Sequence, residues 1–457
     1  MIINRIRKIP EETLWEKLGW TWVHTFFILQ FIFQIFLLFP QVGVLRVLMR
    51  TVAFSLSLLF LIIFPARGQS YPAAAPGIIV MFILFINLIL HPLTNSLGSG
   101  LAQCLLYLAI IAPIFWMTGL KVKPKGFETL IFIIWAFHFL SAGLGVLQMY
   151  FPGQFQPALS TAIQSQMWGG ENLLITLANG QQVYRPMGLT DVPGGAASSG
   201  QYSILFGVIM TLKYRNPFLW IMGIVSISIG LFCILLSQVR SILVSTIICL
   251  LFFALILVRT ANFSRLSIMA VGIISLFITT FSWAIAVGGT QTQDRLNTLF
   301  TDSFQNIYQQ NRGHFLQDTI NNLLPQYPLG AGLGRWGMMN NCFGDPTNME
   351  AKPIWVEIQW TAWVLDGGLP LVIVYMAMIT IACYTTYQIA TNRRLGDFTL
   401  FGALILGYNV GAIATTFNYP FFISQGGLEL WLLNTALFIA ANHYQRQSLN
   451  PGDNNNG

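Results

Sequence analysis

Two arginines stand near the edges of long apolar runs, where charged side chains are unusual, and a third lies in a polar insert between two such runs. Arg185 precedes a run of small residues at 194–200, and Arg240 lies in a Ser-Gln-Val-Arg-Ser segment between two apolar runs. Arg312 lies in a polar insert at about 288–353. A planar guanidinium can form paired hydrogen bonds with phosphate oxygens, and a helix N-terminus offers backbone N–H groups to an anion. These residues therefore predict a site for a phosphate-bearing ligand.

Each of the first two arginines also has an ordinary interpretation. Arg185 could pair with Asp191 or with a lipid headgroup. Arg240 could be an interfacial arginine whose charged end extends to the headgroups. The residues alone leave these alternatives open.

The polar insert itself predicts a short amphipathic helix that ends at Pro325 and lies at the membrane rim. Besides Arg312, this helix carries His314 and Asp318, which are four residues apart and share a face. His314 is a candidate proton acceptor, and the alternative is an exposed histidine that pairs with Asp318.

Gly330, Gly332 and Gly334 follow in a Gly-x-Gly-x-Gly pattern. The pattern lacks the strand and helix that flank a dinucleotide-binding fingerprint. A turn whose N–H groups surround an anion is the better interpretation. We expect these glycines to bind substrate together with Tyr184 and Arg335.

Two acids, Glu357 and Asp366, lie where the insert returns to an apolar run among tryptophans, which are typical of a membrane boundary. A carboxyl group that is buried there becomes a stronger proton acceptor, as general-base catalysis requires. The alternative for each acid is exposure to solvent or pairing with an arginine.

The elements that must position these residues are membrane helices. Of 457 residues, 55% are hydrophobic and 9% are charged, whereas soluble domains carry about 25% charged residues. We predict an all-α, polytopic membrane protein with a single transmembrane domain at 20–446, a cytoplasmic N-terminus at 1–19 and a disordered tail at 447–457. About twelve spans are predicted, near 20–39, 47–64, 77–91, 100–120, 127–150, 197–212, 217–236, 241–258, 266–287, 368–391, 398–417 and 426–442.

Lysines and arginines of the short loops predict the orientation of these spans. They place both termini in the cytoplasm and leave two long loops, 151–196 and 288–353, on the extracytoplasmic side, although Arg46 and Arg50 run against the rule. The net charge of +7 is attributed to these loops and to anionic lipid, since no basic and aromatic nucleic-acid motif occurs. The five cysteines show no CxxC spacing and predict neither a disulfide framework nor a zinc site.

The order of these features resembles the O-antigen polymerase and O-antigen ligase family over about residues 100–440. One arginine ends the third outer loop, a second follows the seventh span, a third precedes Pro-Leu-Gly-Ala-Gly-Leu-Gly, and an Asp-Gly-Gly-Leu-Pro turn opens the tenth span. In ligases of this family a histidine stands about nine residues before the acid of that turn, and here that position is Glu357. The resemblance therefore favours a polymerase over a ligase.

The resemblance implies a metal-independent glycosyltransferase of the inner membrane that needs no cofactor. It uses a polyprenyl-diphosphate-linked glycan as donor and a glycan as acceptor, and its arginines, here Arg185, Arg240 and Arg312, hold the diphosphate. We expect Glu357 to take the acceptor proton, with His314 as the second candidate. Membrane lipid, a flippase and a chain-length regulator are the expected partners, and nucleic acid is not.

Three rival functions stay open. The first is a ligase that moves a finished glycan onto lipid or protein. The second is a transporter or lipid flippase, which is disfavoured because charges in the spans are nearly absent and His24 and His138 are expected to pack among aromatic rings. The third is a non-catalytic assembly factor.

Overall fold

Long apolar helices form most of the part of the chain that the computed structural model describes, which is residues 19–36, 39, 46–66, 69–156, 173–190, 192–301 and 308–449. In chain order the helices are α1 (Trp22–Phe36), α2 (Arg46–Ile63), α3 (Ala74–Leu90), α4 (Leu97–Ile111), α5 (Pro113–Trp116), α6 (Pro124–Tyr150), α7 (Ala196–Lys213), α8 (Pro217–Ser237), α9 (Arg240–Arg259), α10 (Phe263–Thr301), α11 (His314–Asp318), α12 (Leu324–Gln326), α13 (Gly337–Phe343), α14 (Gln359–Thr391), α15 (Thr399–Thr415) and α16 (Gln425–Leu449). Short 3₁₀ turns occupy Met117–Gly119, Arg393–Phe398 and Phe421–Ile423, and π turns occupy Gln309–Gly313 and Thr319–Leu323.

Within this described part, seven helical stretches are long and apolar enough to cross a membrane, which indicates a multi-pass membrane protein. They are Leu97–Gly119, Pro124–Tyr150, Pro217–Ser237, Arg240–Arg259, Phe263–Thr290, Gln359–Thr391 and Arg393–Thr415. Three shorter apolar helices cover Trp22–Phe36, Thr51–Ile63 and Ala74–Leu90. The predicted all-α class is confirmed apart from one small hairpin, whereas the predicted count of about twelve spans is not.

Helix α7 is a predicted span that is not among the seven long apolar helices, and its surroundings are mostly protein. Of its 18 residues, 15 are buried, and they include serines, glycines and a glutamine. A β-carbon at Gly200 would lie 2.6 Å from the carbonyl oxygen of Gly230 on α8, so the two backbones touch, as small residues permit in membrane helices. A helix that contacts protein on every side can be more polar than one that contacts lipid.

The only sheet in the described residues lies in the first long loop, between α6 and α7. Strands β1 (Leu174–Thr176) and β2 (Gln182–Tyr184) pair antiparallel, with Leu174 opposite Tyr184. The turn of this hairpin is held against α10, since the amide of Ala178 donates to the carbonyl of Val287 at 2.9 Å. The hairpin therefore fixes the chain that leads from Tyr184 into Arg185.

Helix α14 is broken at Gly368, and the break receives the glycine-rich part of the polar insert. Gly368 has φ +63° and ψ −157°, a backbone conformation that is almost restricted to glycine. The amide of Leu369 is thereby free to donate to the carbonyl of Pro328 at 2.9 Å, and the amide of Ala331 donates to Leu365 at 2.7 Å. Two motifs that are far apart in sequence thus dock directly on each other.

Replacing Gly368 by alanine is expected to destabilise the protein by about 1–3 kcal/mol from backbone strain alone. A β-carbon there would also lie 2.2 Å from the carbonyl oxygen of Pro328. The measurement is the apparent melting temperature in detergent micelles. Gly143→Ala in α6 is the matched control, because a β-carbon at Gly143 meets nothing within 4 Å. Equal melting temperatures for the two variants would contradict the role given to Gly368.

Several predicted boundaries fall outside the described residues or differ from the structure. The N-terminal residues 1–18 and the tail residues 450–457 lie outside the described part. Helix α16 continues to Leu449, beyond the predicted end at 442, and α10 continues to Thr301, well into the insert that begins near 288.

The expected packing of two histidines among aromatic rings is confirmed. His24 stacks on Trp20 with ring centroids 5.1 Å apart, and His138 stacks on Tyr202 at 4.1 Å. His24 also contacts the carbonyl of Gly126 through Nε2 at 2.8 Å. Both rings belong to the helix packing.

Candidate functional site

The turn between α8 and α9 carries two polar side chains whose hydrogen-bonding atoms are not all used. Gln238 is 7% exposed and lies in the left-handed region at φ +55°. Among the described residues, its amide oxygen and nitrogen, as well as Nε of the adjacent Arg240, are buried without a hydrogen-bond partner. Buried polar atoms are nearly always paired in native proteins. This turn is therefore one candidate place for a polar ligand in the described chain.

Arg185 lies over the same turn, although it is 55 positions away in sequence from Arg240. Gly194 separates them: a β-carbon at Gly194 would lie 3.9 Å from Cδ of Arg185 and 3.1 Å from Cγ2 of Val239. The amide of Arg185 donates to the carbonyl of Leu173 at 3.0 Å, which extends the hairpin. The small residues after Arg185 thus let its side chain approach the α8–α9 turn.

Tyr184 is half-buried at the end of β2, next to Arg185. This position brings it to the arginine-bearing end of the bundle. Asp191, the alternative partner of Arg185, lies outside the described residues.

Arg312 and Glu357 form a direct ion pair. Nε1 of Trp355 donates to the other carboxylate oxygen of Glu357 at 2.8 Å, and both charged side chains are partly buried. Burial lowers the pKa of Arg312, but a guanidinium stays protonated in proteins. The predicted phosphate-binding arginine and the predicted general base are therefore bound to each other here, which matches the ordinary interpretation given for Glu357.

The ion pair and the α8–α9 turn lie at the same end of the bundle. Nδ2 of Asn418 donates to the hydroxyl of Ser241, next to Arg240, at 2.8 Å. In the same turn, the carbonyl of Thr416 accepts from the amide of Gln359 at 3.0 Å, two residues after Glu357. One turn after α15 thus connects the arginine that begins α9 with the start of α14.

The segment 309–326 is packed against α14 through a contact between the hydroxyls of Thr319 and Thr361 at 2.6 Å. His314 on this segment is exposed, and its ring lies on Phe315 with centroids 4.0 Å apart. Asp318 accepts from Asn322 at 2.7 Å, so the expected pairing with His314 is not the contact it makes. The exposed position predicted for His314 is confirmed, and its role as a proton acceptor stays a prediction.

The glycine-rich turn is buried and packed against the loop before α4. Gly330, Gly332 and Gly334 have φ values of +114°, +95° and +70°. A β-carbon at Gly332 would lie 2.3 Å from the carbonyl oxygen of Leu93, and one at Gly334 would lie 2.3 Å from Oγ of Ser99. Close packing is thus sufficient to explain the need for glycine at these two positions.

Part of the polar backbone of this turn is already bonded within the protein. The amide of Gly330 donates to Tyr327 at 3.1 Å, and Nε2 of His91 contacts the carbonyl of Gly330 at 3.0 Å. Burial lowers the pKa of His91, and its Nδ1 accepts from the amide of Leu93 at 3.2 Å, so the ring is neutral and Nε2–H is the donor. The substrate-binding role of the glycines stays a prediction.

Arg335 has a definite structural contact. It is 5% exposed, and its Nε and one terminal nitrogen donate to the carbonyls of Lys352 and Ala331 at 3.0 and 2.8 Å. The guanidinium thereby ties the returning end of the insert to the glycine-rich turn. Its predicted contact with substrate is untested.

Two buried carboxylates lie in helices that the sequence analysis treated as nearly free of charge. Asp366 on α14 is fully buried and accepts from Tyr107, Gln103 and Trp336 at 2.8, 3.0 and 2.9 Å. It was predicted as an acid near the boundary, and its burial is confirmed.

Glu429 on α16 is the residue that sequence reasoning missed. It is 4% exposed and accepts from Tyr202, Gln30 and Gln425 at 2.6, 2.8 and 3.1 Å. Glu429 lies within the predicted span 426–442, near the start of α16, so that span carries a buried acid that the sequence analysis did not consider. The available signal was an acid in the first turns of a predicted span, since ionisable residues in spans are rare and face the protein interior.

A cavity of about 500 Å³ lies between the two carboxylate networks. Its polar lining includes Gln30 and Gln425, which bond to Glu429, and Gln103 and Trp336, which bond to Asp366. Thr190, from the first long loop, also lines it. The three predicted arginines are not among its lining residues.

The fold indicates the class: a multi-pass helical membrane protein. A scan against protein-family models and a search of curated proteins both found no match. The resemblance to the O-antigen polymerase and ligase family accordingly stays a prediction.

Proposed function

We propose that this protein is a membrane glycosyltransferase that polymerises polyprenyl-diphosphate-linked oligosaccharides into an envelope polysaccharide. The observation that carries the proposal is the α8–α9 turn, where Gln238 and Arg240 carry polar atoms without a partner among the described residues. Gly194 lies between this turn and the side chain of Arg185. Two guanidinium groups and a buried amide form a suitable environment for a diphosphate. About twelve helices cross the inner membrane in this proposal.

The distribution of basic residues supports an extracytoplasmic position for this turn. Helix α9 begins at Arg240 and ends at Arg259, so these residues lie at opposite ends of the bundle. Arg265, which begins α10, pairs with Asp397 at 2.6 Å at the Arg259 end. Short loops rich in lysine and arginine face the cytoplasm in membrane proteins, which leaves the Arg240 end outside.

The reaction proceeds by displacement at the anomeric carbon of the donor glycan. A hydroxyl of the acceptor forms the new C–O bond while the bond to the diphosphate breaks, and the electron pair leaves with the diphosphate. Arg185 and Arg240 stabilise the charge that grows on this leaving group, which lowers the barrier because the donors are already in place. The acceptor proton passes to Glu357 once Arg312 turns from that carboxylate to the diphosphate.

The experiment supplies the purified protein, in lipid nanodiscs, with a polyprenyl-diphosphate-linked oligosaccharide. A ladder of longer glycans on the lipid carrier supports a polymerase. Transfer of the glycan to a different lipid or protein supports a ligase instead. Failure to form any new glycosidic bond, with this donor and with a panel of sugars of other composition, would contradict the proposal.

Glu357→Gln is expected to reduce turnover by about 10²-fold or more, the usual contribution of a general base, while donor binding changes little. The amide is close to the carboxylate in shape but cannot accept the proton. Glu350→Gln is the matched control, because Glu350 is an exposed acid in the same insert. A wild-type rate in Glu357→Gln would remove Glu357 from the reaction.

A second candidate is a proton-coupled transporter or flippase for a glycan or lipid. Asp366 and Glu429 favour it, since buried acids beside a cavity are typical of proton-coupled transport. Proteoliposomes with an imposed pH gradient separate the two candidates. Movement of the lipid-linked glycan across the bilayer without chain growth would favour transport.

A further inference from the structure

The cavity of about 500 Å³ between the carboxylate networks has no part in the reaction described above. Its size falls within the range of small-molecule sites and is far larger than a single water requires. Its walls are formed by α1, α2, α4, the start of α16 and the residues that follow the glycine-rich turn. The side chains of its walls indicate which kind of ligand it can bind.

Two glutamines of α1, Gln30 and Gln34, line this cavity. Gln30 is 4% exposed and donates through Nε2 to Glu429 at 2.8 Å, which fixes the orientation of its amide. Among the described residues, Oε1 of Gln30 and Oε1 of Gln34 are buried without a donor. The two residues are one helical turn apart and both line the cavity. A ligand with hydroxyl or N–H donors suits a wall that carries such amide groups.

The remaining walls exclude a charged ligand. None of the described residues that line the cavity carries a charge, because the carboxylates of Asp366 and Glu429 are held behind the side chains that hydrogen-bond to them. Four glutamines, one tryptophan and several apolar side chains form the lining: Gln30, Gln34, Gln103, Gln425, Trp336, Phe33, Phe54, Met338 and Met339. Amide groups next to an aromatic and aliphatic wall suit a neutral ligand that has both hydroxyl groups and C–H faces.

We propose that this cavity binds one or two neutral sugar units of the acceptor glycan. The inference rests on the proposed glycosyltransferase function and assigns the acceptor a subsite separate from the arginines that hold the diphosphate. Gln103 donates a hydrogen bond to Asp366, and Gln30 and Gln425 donate to Glu429. These bonds fix the amide groups in the cavity wall, so the two buried acids act as positioning residues for sugar recognition. Trp336, bonded to Asp366, forms part of the wall.

The test measures saturation-transfer NMR on the purified protein in nanodiscs with neutral disaccharide probes: maltose, lactose, cellobiose and diacetylchitobiose. At least one probe is expected to bind the wild-type protein. Gln34→Leu removes one amide side chain from the cavity lining and leaves the bonds of Glu429 from Gln30 and Gln425 in place. Binding should weaken about five- to tenfold, the effect of one lost hydrogen bond. Met338 lines the cavity and makes none of the hydrogen bonds to Asp366 or Glu429, so Met338→Trp should fill the cavity and abolish binding. Gln317→Leu, at an exposed position outside the cavity, is the control and should bind as the wild type does.

Pyrophosphate binding, measured on the same samples, separates this inference from the proposed function. Suppose that disaccharide binding falls from the wild type and Gln317→Leu to Gln34→Leu and then to Met338→Trp, but that pyrophosphate does not bind. This result would contradict the glycosyltransferase function and support the sugar site. If pyrophosphate binds but no disaccharide does, the sugar site is wrong and the glycosyltransferase function is not affected. The same holds if pyrophosphate binds and the disaccharide signals of Gln34→Leu and Met338→Trp equal that of the wild type.

Discussion

Arg240→Ala is expected to lower the rate of glycan transfer by about 10²- to 10³-fold, the usual effect of removing one fixed donor from a developing negative charge. The guanidinium begins α9, its Nε has no hydrogen-bond partner among the described residues, and it lies beside the buried amide of Gln238. Its removal therefore takes away a donor that the fold keeps available. The measurement is the initial rate with a saturating lipid-linked donor.

Arg265→Ala is the control for that loss. Arg265 is also an arginine at the start of a long helix, but it pairs with Asp397 at 2.6 Å at the opposite end of the bundle. We expect a rate within about twofold of the wild type, because an exposed ion pair contributes little. Similar losses in both variants would mean that Arg240 acts through general stability rather than at the diphosphate.

Asp366→Leu should have the largest effect on stability, on the order of 3 kcal/mol or more, since each unpaired buried donor costs about 1–3 kcal/mol. The carboxylate accepts hydrogen bonds from Gln103, Tyr107 and Trp336, which come from α4 and from the polar insert. Leucine would leave all three donors without an acceptor. Asp366→Asn retains one acceptor oxygen, so its stability should lie between that of the wild type and that of Asp366→Leu.

The apparent melting temperature and the yield of monodisperse protein report this effect. Asp318→Leu is the comparison, because Asp318 is exposed and bonds only locally to Asn322 among its described contacts. A melting temperature for Asp366→Leu equal to that of Asp318→Leu would show that the buried network does not hold the insert to the bundle.

The helices were predictable from the sequence because apolar runs of spanning length leave few alternatives. Helix α7 shows the limit of that argument, since its serines, glycines and glutamine are accounted for by burial against protein. The continuation of α10 into the polar insert was not predictable from composition either. The kink at Gly289, which has φ +65°, lets that helix change direction where the apolar run ends.

The candidate site was predictable only in part. Arg185 lies near Gly194, which also packs against the turn that carries Arg240. The prediction that the guanidinium groups of Arg185, Arg240 and Arg312 meet around one ligand stays a prediction. The ion pair between Arg312 and Glu357 could not be derived, because nothing in the spacing of the two residues places them in contact. Glu429 escaped notice because its partners come from three separate helices, α1, α7 and α16 itself.

The glycine-rich turn illustrates a different limit. A Gly-x-Gly-x-Gly pattern indicates positive φ values, and all three glycines have them. Whether such a turn binds an anion or packs against another segment depends on its neighbours. In this structure the neighbours are Leu93 and Ser99, which lie close enough to exclude any side chain.

The proposed function requires Arg185 and Arg240 to hold a diphosphate at one turn, and a binding measurement addresses this without any sugar substrate. Isothermal titration of inorganic pyrophosphate and of farnesyl diphosphate into the protein in nanodiscs should show binding by the wild type and by Arg265→Ala. Arg185→Ala and Arg240→Ala should each weaken it at least about tenfold, since a charge-assisted hydrogen bond contributes about 1.5–3 kcal/mol. Equal affinity in all four proteins, or no binding by the wild type, would show that Arg185 and Arg240 do not hold a diphosphate.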